Sequence, residues 1–500
     1  MNILNKRASG VLMPISSLPG KTGIGSFGKE AYKFVDLLKN ANQTYWQILP
    51  LGPTGYKDSP YQVFSTFAGN PYFINLEFLT EQSYLKSEDW EKEDWGNDLT
   101  CVDYGKVYFN RKKVFNILYK NFIKNIPEDF LDFCKENDFW LEDYSLFMAI
   151  KDSCNGISLT EWNQELRMRN PLAIKKARET LKDECSLYKM LQYFFYKQWY
   201  ALKSYANNLG IKIIGDLPIY VSGDSSDVWA NPELFNLDKN GKPLTVAGCP
   251  PDSFSKDGQL WGNPIYNWEN HKKTDYEWWK KRISFALKMY DVCRLDHFRG
   301  FESYYSIPYG DKNAVNGKWC KGPGMDLFNS IKKTVASENF IAEDLGFLTP
   351  EVHKLLEDSA FPGMKILQFA FDSREENDYL PEHYTENCVV YTGTHDNETI
   401  LGWAEKAPQE DVKQALKYFN IEDISLLPNA MMTCALMSKA NTCILCAQDL
   451  LKLGSSARIN TPSTSEGNWC WRASSEQLDS MDFDFLKETS IASNRFVCNV

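Results

Sequence analysis

Nowhere in the 500 residues of this chain do about 18 apolar side chains follow one another, the run that a membrane-crossing helix requires. The first ten residues are polar and lack the apolar core of a secretion signal. A soluble, cytoplasmic protein is therefore expected. Basic runs are missing as well. The 55 Lys and Arg are interspersed with 66 Asp and Glu to a net charge of −11, which argues against nucleic acid or an anionic membrane as a partner and suits a neutral small molecule. The 13 cysteines are scattered and odd in number. Their one close pair, Cys443 and Cys446, lies in an apolar run that reads as a buried strand. No second pair stands at zinc spacing and no acidic calcium loop is visible, so no metal site is expected. Without a disulfide framework, a reducing compartment is the natural setting. Repeats of 20 to 50 residues, low-complexity tracts and Gly/Ser linkers are also absent, which leaves no boundary at which to cut the chain into independent domains.

What is present is length and aromatic side chains. The chain carries 30 Phe, 26 Tyr and 15 Trp, enough for a large core with some rings left to stack on a ligand. Its length suits a large barrel with insertions or two to four domains. Eight short apolar runs recur: Gly10 to Ile15, Tyr45 to Pro50, Ile211 to Pro218, the first half of Asp291 to Gly300, Phe340 to Gly346, Met364 to Ala370, Cys388 to Asp396, and Cys443 to Leu450. Helical patterns separate most of them. Alternation of this kind predicts a parallel sheet, and eight repeats predict a closed α/β barrel of the (β/α)8 type. A bare barrel takes roughly 250 residues, so large, mainly helical insertions are expected, the longest between the second and third strands. Positions 55–205 read as inserted helical subdomain(s), and 222–270 as a loop-rich insertion over the active site. Positions 1–500 together read as one catalytic barrel unit.

The stretch Asp291-Val292-Cys293-Arg294-Leu295-Asp296-His297-Phe298-Arg299-Gly300 organises the rest. It ends a strand with a carboxylate set in sequence between Arg294 and Arg299, and nearby positive charge favours the ionised form that a nucleophile needs. A surface ion-pair cluster would read the same way from this decapeptide alone. The chain supplies more, because Asp216, Asp296, Glu343 and Asp396 all fall where a strand finishes. Single strand-end acids commonly cap helices. Four of them, with Arg294 and His395 close by, predict a pocket at the C-terminal face of the barrel, where such folds place their chemistry. Three acids without a metal suit glycoside chemistry, in which one carboxylate attacks the anomeric carbon and a second, with raised pKa, moves the proton.

At this point the sequence resembles a known family. Arg294 to Gly300, Ala342-Glu343-Asp344-Leu345-Gly346 and Gly393-Thr394-His395-Asp396-Asn397 are similar to signature regions of the α-amylase superfamily, and specifically to those of the 4-α-glucanotransferases (amylomaltases, or disproportionating enzymes) of glycoside hydrolase family 77. The likeness runs along essentially the whole chain. It includes Ser16-Ser17-Leu18-Pro19-Gly20, Asp58-Ser59-Pro60-Tyr61-Gln62, Gly215-Asp216-Leu217-Pro218, Gly262-Asn263-Pro264, Phe369-Ala370-Phe371-Asp372, Asn460-Thr461-Pro462 and Gly467-Asn468-Trp469.

The resemblance implies a retaining transfer of α-1,4-glucan segments between maltooligosaccharides, with no cofactor. It implies Asp296 as nucleophile, Glu343 as general acid/base and Asp396 as stabiliser of the transition state. Arg294 is implied to orient Asp296, His395 and Asp216 to serve the sugar at the cleavage point, and Tyr61 to stack on its ring. Asp252, Gln259 and Trp261 match the loop that arches over the glucan. Ser59, Asn263, Asp372 and Asn460 are carried over as further substrate-binding positions, and Tyr56 and Tyr104 as an outlying glucan site. His297 and Asp344 alternate to the other strand face and are expected to be structural or to support the catalytic residues beside them. Departures fall at Ser26, where the family often has an acid, and at Ser463 and Lys452, where it usually has Gly. They imply changes of local loop shape. Two other functions remain open on the sequence: an α-glucan hydrolase using the same acids, and a glucan-binding protein without catalysis.

Overall fold

The eight apolar runs form eight strands. In the computed structural model, which describes residues 3–251, 255–335, 339–346, 348–373, 379–464 and 466–496, they are β1 (Ala8–Leu12), β2 (Tyr45–Gln47), β3 (Lys212–Leu217), β4 (Val292–Leu295), β5 (Phe340–Ala342), β6 (Gly363–Ile366), β7 (Cys388–Tyr391) and β8 (Thr442–Cys446). They pair in parallel in the order β6-β7-β8-β1-β2-β3-β4-β5. Every residue of β1, β2, β4, β5, β7 and β8 is buried. Strands covered on both faces are mostly apolar rather than alternating, and this is why they stand out as runs in the sequence.

The barrel closes between β5 and β6. Ala342 N–H donates to Pro362 O at 2.9 Å, and Met364 N–H donates to Asp344 Oδ1 at 2.6 Å. A Cβ at Gly363 would lie 2.5 Å from Asp344 Oδ2, so glycine lets the carboxylate reach across the seam. Burial pushes the Asp344 carboxyl up, and the Met364 N–H holds it down. Asp344 is thus a side chain that completes a backbone ladder.

Helices Tyr104–Phe122, Asp138–Ser153 and Lys182–Asn208 dominate the insertion between β2 and β3. Leu118, Phe122, Leu141 and Phe194 join the main core, while Leu146, Phe147, Ile150, Trp162 and Trp229 form a smaller cluster of their own. Helix Lys182–Asn208 also fixes the loop after β2. Gln192 accepts from Gly69 N–H at 2.7 Å and donates to Gly69 O at 2.9 Å. Gln198 clamps Asn75 in the same two-way manner, at 2.7 and 3.1 Å. Backbone polar groups that would otherwise be orphaned in a buried loop are satisfied this way.

A second, four-stranded antiparallel sheet is a departure from the sequence reading. Its order is Gln259–Pro264, Thr245–Cys249, Ser303–Pro308, Lys318–Lys321. The first two strands fall in the stretch that reads as irregular loop. Gln259–Pro264 alternates half-buried and exposed residues as far as Gly262, which stands at φ +81°, and ends in a buried Asn263 and Pro264. Such a strand has no apolar run to betray it. No helix among the described residues is long and apolar enough to cross a membrane.

Candidate active site

Register places the acids. Leu217 pairs with Leu295, and Leu295 with Ala342, so Asp296 and Glu343 leave adjacent strands side by side. Asp296 N–H still donates to Leu217 O at 3.1 Å, and Glu343 N–H to Leu295 O at 3.0 Å. One residue back along each strand, Asp216 pairs in register with Arg294. From β7 the chain runs on to His395 and Asp396, and beyond β8 it returns with Asn460. Asp296, Glu343, Asp396, Arg294, Tyr61 and Asn460 line one cleft of about 1240 Å³.

A single guanidinium nitrogen serves two acids. Arg294 Nη1 donates to Asp216 Oδ2 at 2.7 Å and to Asp296 Oδ1 at 3.0 Å. Arg299 turns away from Asp296; its guanidinium lies 3.9 Å from the centroid of Trp319 and donates to Ser303 Oγ at 3.3 Å. The sequence expectation of a carboxylate between two arginines is thereby corrected. Side chains five residues apart on a strand end followed by a 3-10 turn do not face one point. The expectation that arginine keeps Asp296 low is corrected with it. Burial pushes Asp296 up to about 6, Arg294 opposes the rise, and the nearby Asp216 and Asp396 add to it.

Glu343 accepts from two backbone donors, His297 N–H on Oε2 at 2.7 Å and Leu345 N–H on Oε1 at 3.0 Å. Burial nevertheless dominates and pushes it up to about 8, against the pull of Arg294 and those two donors. For Asp396 burial also pushes upward, but His395 and the Asn460 amide outweigh it and hold this carboxyl well below the usual range. Asn460 Nδ2 donates to Asp396 Oδ1 at 2.6 Å, and Arg458 Nη2 to Asp396 O at 2.7 Å. The three carboxyls are thus driven apart, Asp396 downward and Glu343 furthest upward, with Asp296 between them. A protonated and an ionised acid side by side is the arrangement for acid-assisted displacement at a sugar carbon.

Tyr61 joins the deeper residues. Its hydroxyl donates to Asp216 Oδ2 at 2.8 Å and also lies 2.8 Å from His395 Nε2. A phenol has one proton, so His395 Nε2 is the donor of the second bond; the same nitrogen is 3.3 Å from Asp396 Oδ2. The Tyr61 and His395 rings stack at 5.4 Å. Asp216 and His395 are both 2 % exposed, and they form the wall behind Tyr61.

The remaining expectations divide. Gln259, Trp261, Ser59 and Asn263 line the cleft. Ser59 Oγ accepts Tyr61 N–H at 3.3 Å. Asn263 is occupied by protein, accepting from Gln62 Nε2 at 2.9 Å and donating to Val221 O at 2.9 Å. Gln259 Oε1 accepts the Trp261 indole N–H at 3.0 Å. Tyr104 lines the cleft and donates to Trp469 O at 2.9 Å. Asp372 is half-buried and stands outside the residues that line the cleft. Asp252 and the Tyr56 side chain lie outside what is described. His297, expected to be structural or to support its catalytic neighbours, lines the cleft. Trp469, quoted above only as part of a motif, tilts against Tyr61 at 5.7 Å and His395 at 6.0 Å. Lys452 and Ser463 keep positive φ, 54° and 65°, so both loops hold the left-handed turn that glycine usually supplies. Among the described residues no group of three or more His, Cys, Asp or Glu is placed to hold a metal.

The family described as 4-alpha-glucanotransferase matches residues 13–478. The chain belongs to the 4-α-glucanotransferase family. It is 51% identical over 463 residues to the 4-alpha-glucanotransferase of Clostridium butyricum, covering 92% of this chain and 95% of that one. It is 44% identical over 477 residues to that of Thermus thermophilus, covering 93% and 94%. Among solved structures, the amylomaltase from Streptococcus agalactiae in complex with acarbose superposes with a TM-score of 0.95 at 44% identity, over 98% of this chain and 100% of that one. The amylomaltase from Corynebacterium glutamicum, at 18% identity and a TM-score of 0.78 over 98% and 76%, shares the fold. The strand ends described here are therefore those of a 4-α-glucanotransferase barrel.

Proposed function

We propose that this 4-α-glucanotransferase moves α-1,4-linked glucan segments between maltooligosaccharides by double displacement through a covalent glucosyl-enzyme. Asp296 attacks the anomeric carbon while Glu343 gives its proton to the leaving glycosidic oxygen. A second sugar then enters, Glu343 takes the proton of its hydroxyl, and the ester on Asp296 is displaced. Each step inverts the anomeric carbon, so the two together retain its configuration. Asp396 faces the oxocarbenium-like transition state. Arg294 orients Asp296, and Tyr61, held by Asp216 and His395, offers its ring to the sugar at the cleavage point. Gln259, Trp261 and Asn263, on the strand Gln259–Pro264, form the cover of the 222–270 insertion. Within the single barrel unit, that cover keeps water from the ester, which favours a sugar acceptor over hydrolysis. The free thiols among the described cysteines suit a reducing cytoplasm.

The observation that carries this reading is geometric: Asp296, held on Arg294 Nη1 at 3.0 Å, and Glu343, held by two backbone N–H groups at 2.7 and 3.0 Å, leave adjacent strands side by side in one cleft. The test is to trap the intermediate. Glu343→Gln is given a maltosyl fluoride, whose leaving group needs no proton. A maltosyl ester should then accumulate on the peptide containing Asp296 and be read by mass spectrometry. Turnover of this donor without any labelled Asp296 would refute the covalent route.

A further inference from the structure

The strand Gln259–Pro264 and the Glu343 carboxyl meet through one residue. His297 follows Asp296 directly and holds φ at +50°, a left-handed backbone that a residue with a Cβ adopts at a cost. Such strain persists where the surroundings determine it from several sides. On one side the turn aims His297 N–H at Glu343 Oε2, at 2.7 Å. Phe298 N–H then returns to Glu343 O at 3.0 Å. On the other side the turn carries the imidazole to Trp261, whose ring it meets edge-on at 4.9 Å and 89°. Burial and the charge of Arg299 drive the imidazole down to about 3. The ring is thus neutral at any working pH, and its hold on Trp261 is packing. Trp261 in turn is set by its own strand. Its indole N–H donates to Gln259, its carbonyl accepts from Gln62 Nε2 at 3.3 Å, and its ring tilts on Tyr220 at 6.2 Å. Trp261, His297 and Glu343 line the same cleft.

We propose that His297 is a positioning residue that couples the seating of the Gln259–Pro264 strand over the cleft to the orientation and dryness of the Glu343 carboxyl. This rests on the reading of Glu343 as acid/base. With Trp261 seated, the imidazole is fixed, the left-handed turn is fixed with it, and the N–H stays on Oε2 while the indole excludes water from the carboxyl. When the strand lifts, the imidazole loses its partner and water reaches Glu343. Proton delivery is then strongest with the cover closed, when a sugar and not water is beside the ester. The other charged groups near Glu343 are Arg294 and Asp296 at the end of β4. Asp396, Lys312 and Asp257 line the same cleft. The substitutions below leave all of them in place.

The test compares wild type with His297→Asn, Trp261→Leu and the double variant. Asn tolerates the left-handed backbone and keeps its N–H for Glu343, but it has no ring. Two quantities are read with maltotriose: the ratio of transfer to hydrolysis, and the alkaline limb of kcat against pH. Each single variant should lower the ratio about two- to tenfold, the range in which an aromatic pair contributes, and move the alkaline limb to lower pH. The double variant should change no more than the larger single. His297→Phe, which restores a ring edge without ring nitrogens, should recover the ratio at least in part. Melting curves establish that each variant is folded. Additive losses in the double variant overturn the coupling, as does a His297→Asn enzyme with the wild-type ratio and limb. Failure of His297→Phe to recover would assign the effect to the imidazole nitrogens and overturn it too. A Glu343→Gln enzyme with wild-type activity would remove the acid/base reading, and the coupling with it.

Discussion

Asp216→Asn is the most informative single change, because Asp216 and Asp296 draw on the same Arg294 nitrogen. Each places an oxygen within 3.0 Å of Nη1, so those two oxygens lie within about 6 Å of each other. At an effective dielectric of about 20, two like charges at that distance repel by about 3 kcal/mol. That is about two pKa units, and competition for Arg294 acts in the same direction. Asn in place of Asp216 keeps an oxygen for Tyr61 and Arg294 while removing the charge. As the proposed nucleophile Asp296 must be ionised to attack, so its folded pKa of about 6 should set the acid limb of activity. Without the neighbouring charge, that limb should move down by one to two units. The alkaline limb, set by Glu343 at about 8, should stay in place. The assay is the initial rate of glucose release from maltotriose between pH 4 and 9. Asp216 Oδ1 has no hydrogen-bond partner among the described residues, so an amide there costs about 1–3 kcal/mol and melting curves must accompany the rates. An acid limb that stays put or rises, in a folded variant, refutes the shared-guanidinium account.

Asp296→Asn should melt like wild type and lose transfer by several orders of magnitude, since the covalent route is gone; near-normal turnover on maltotriose contradicts the nucleophile assignment. Tyr61→Phe keeps the ring and removes the hydroxyl between Asp216 and His395. It should lower kcat about tenfold with little change in KM, because two buried polar groups lose a partner and the wall loosens. An unchanged kcat would show the ring alone to matter. Asp344→Ala should leave the pH profile intact and lower stability by about 1–3 kcal/mol, by orphaning the buried Met364 N–H at the barrel seam. Equal denaturation midpoints for variant and wild type would refute the seam role.

The strands were legible because parallel strands in a closed barrel are buried on both faces and write themselves as apolar runs. Asp216, Asp296, Glu343 and Asp396 were legible because each stands at or beyond such a run. Side-chain direction was not. Arg299 leaves Asp296 through a 3-10 turn, Asp344 crosses the seam to Met364, and His297 turns into the cleft on a left-handed backbone that its own letter does not announce. Gln259–Pro264 escaped for another reason. A strand that lies over a cleft, half in water, needs no apolar run, and its polar residues and glycine look like loop. Trp469 could have been found from its place in Gly467-Asn468-Trp469, but nothing in the local sequence says that it reaches Tyr61. Pairings across such distances along the chain appear only when the barrel brings β1 beside β8.

The central claim is that the ester on Asp296 is passed to sugar and not to water. Purified protein incubated with maltotriose alone tests it most directly. A ladder of longer maltooligosaccharides with glucose, and almost no net gain of reducing ends, is the predicted outcome. Glucose and maltose alone, with reducing ends rising in step, would contradict it.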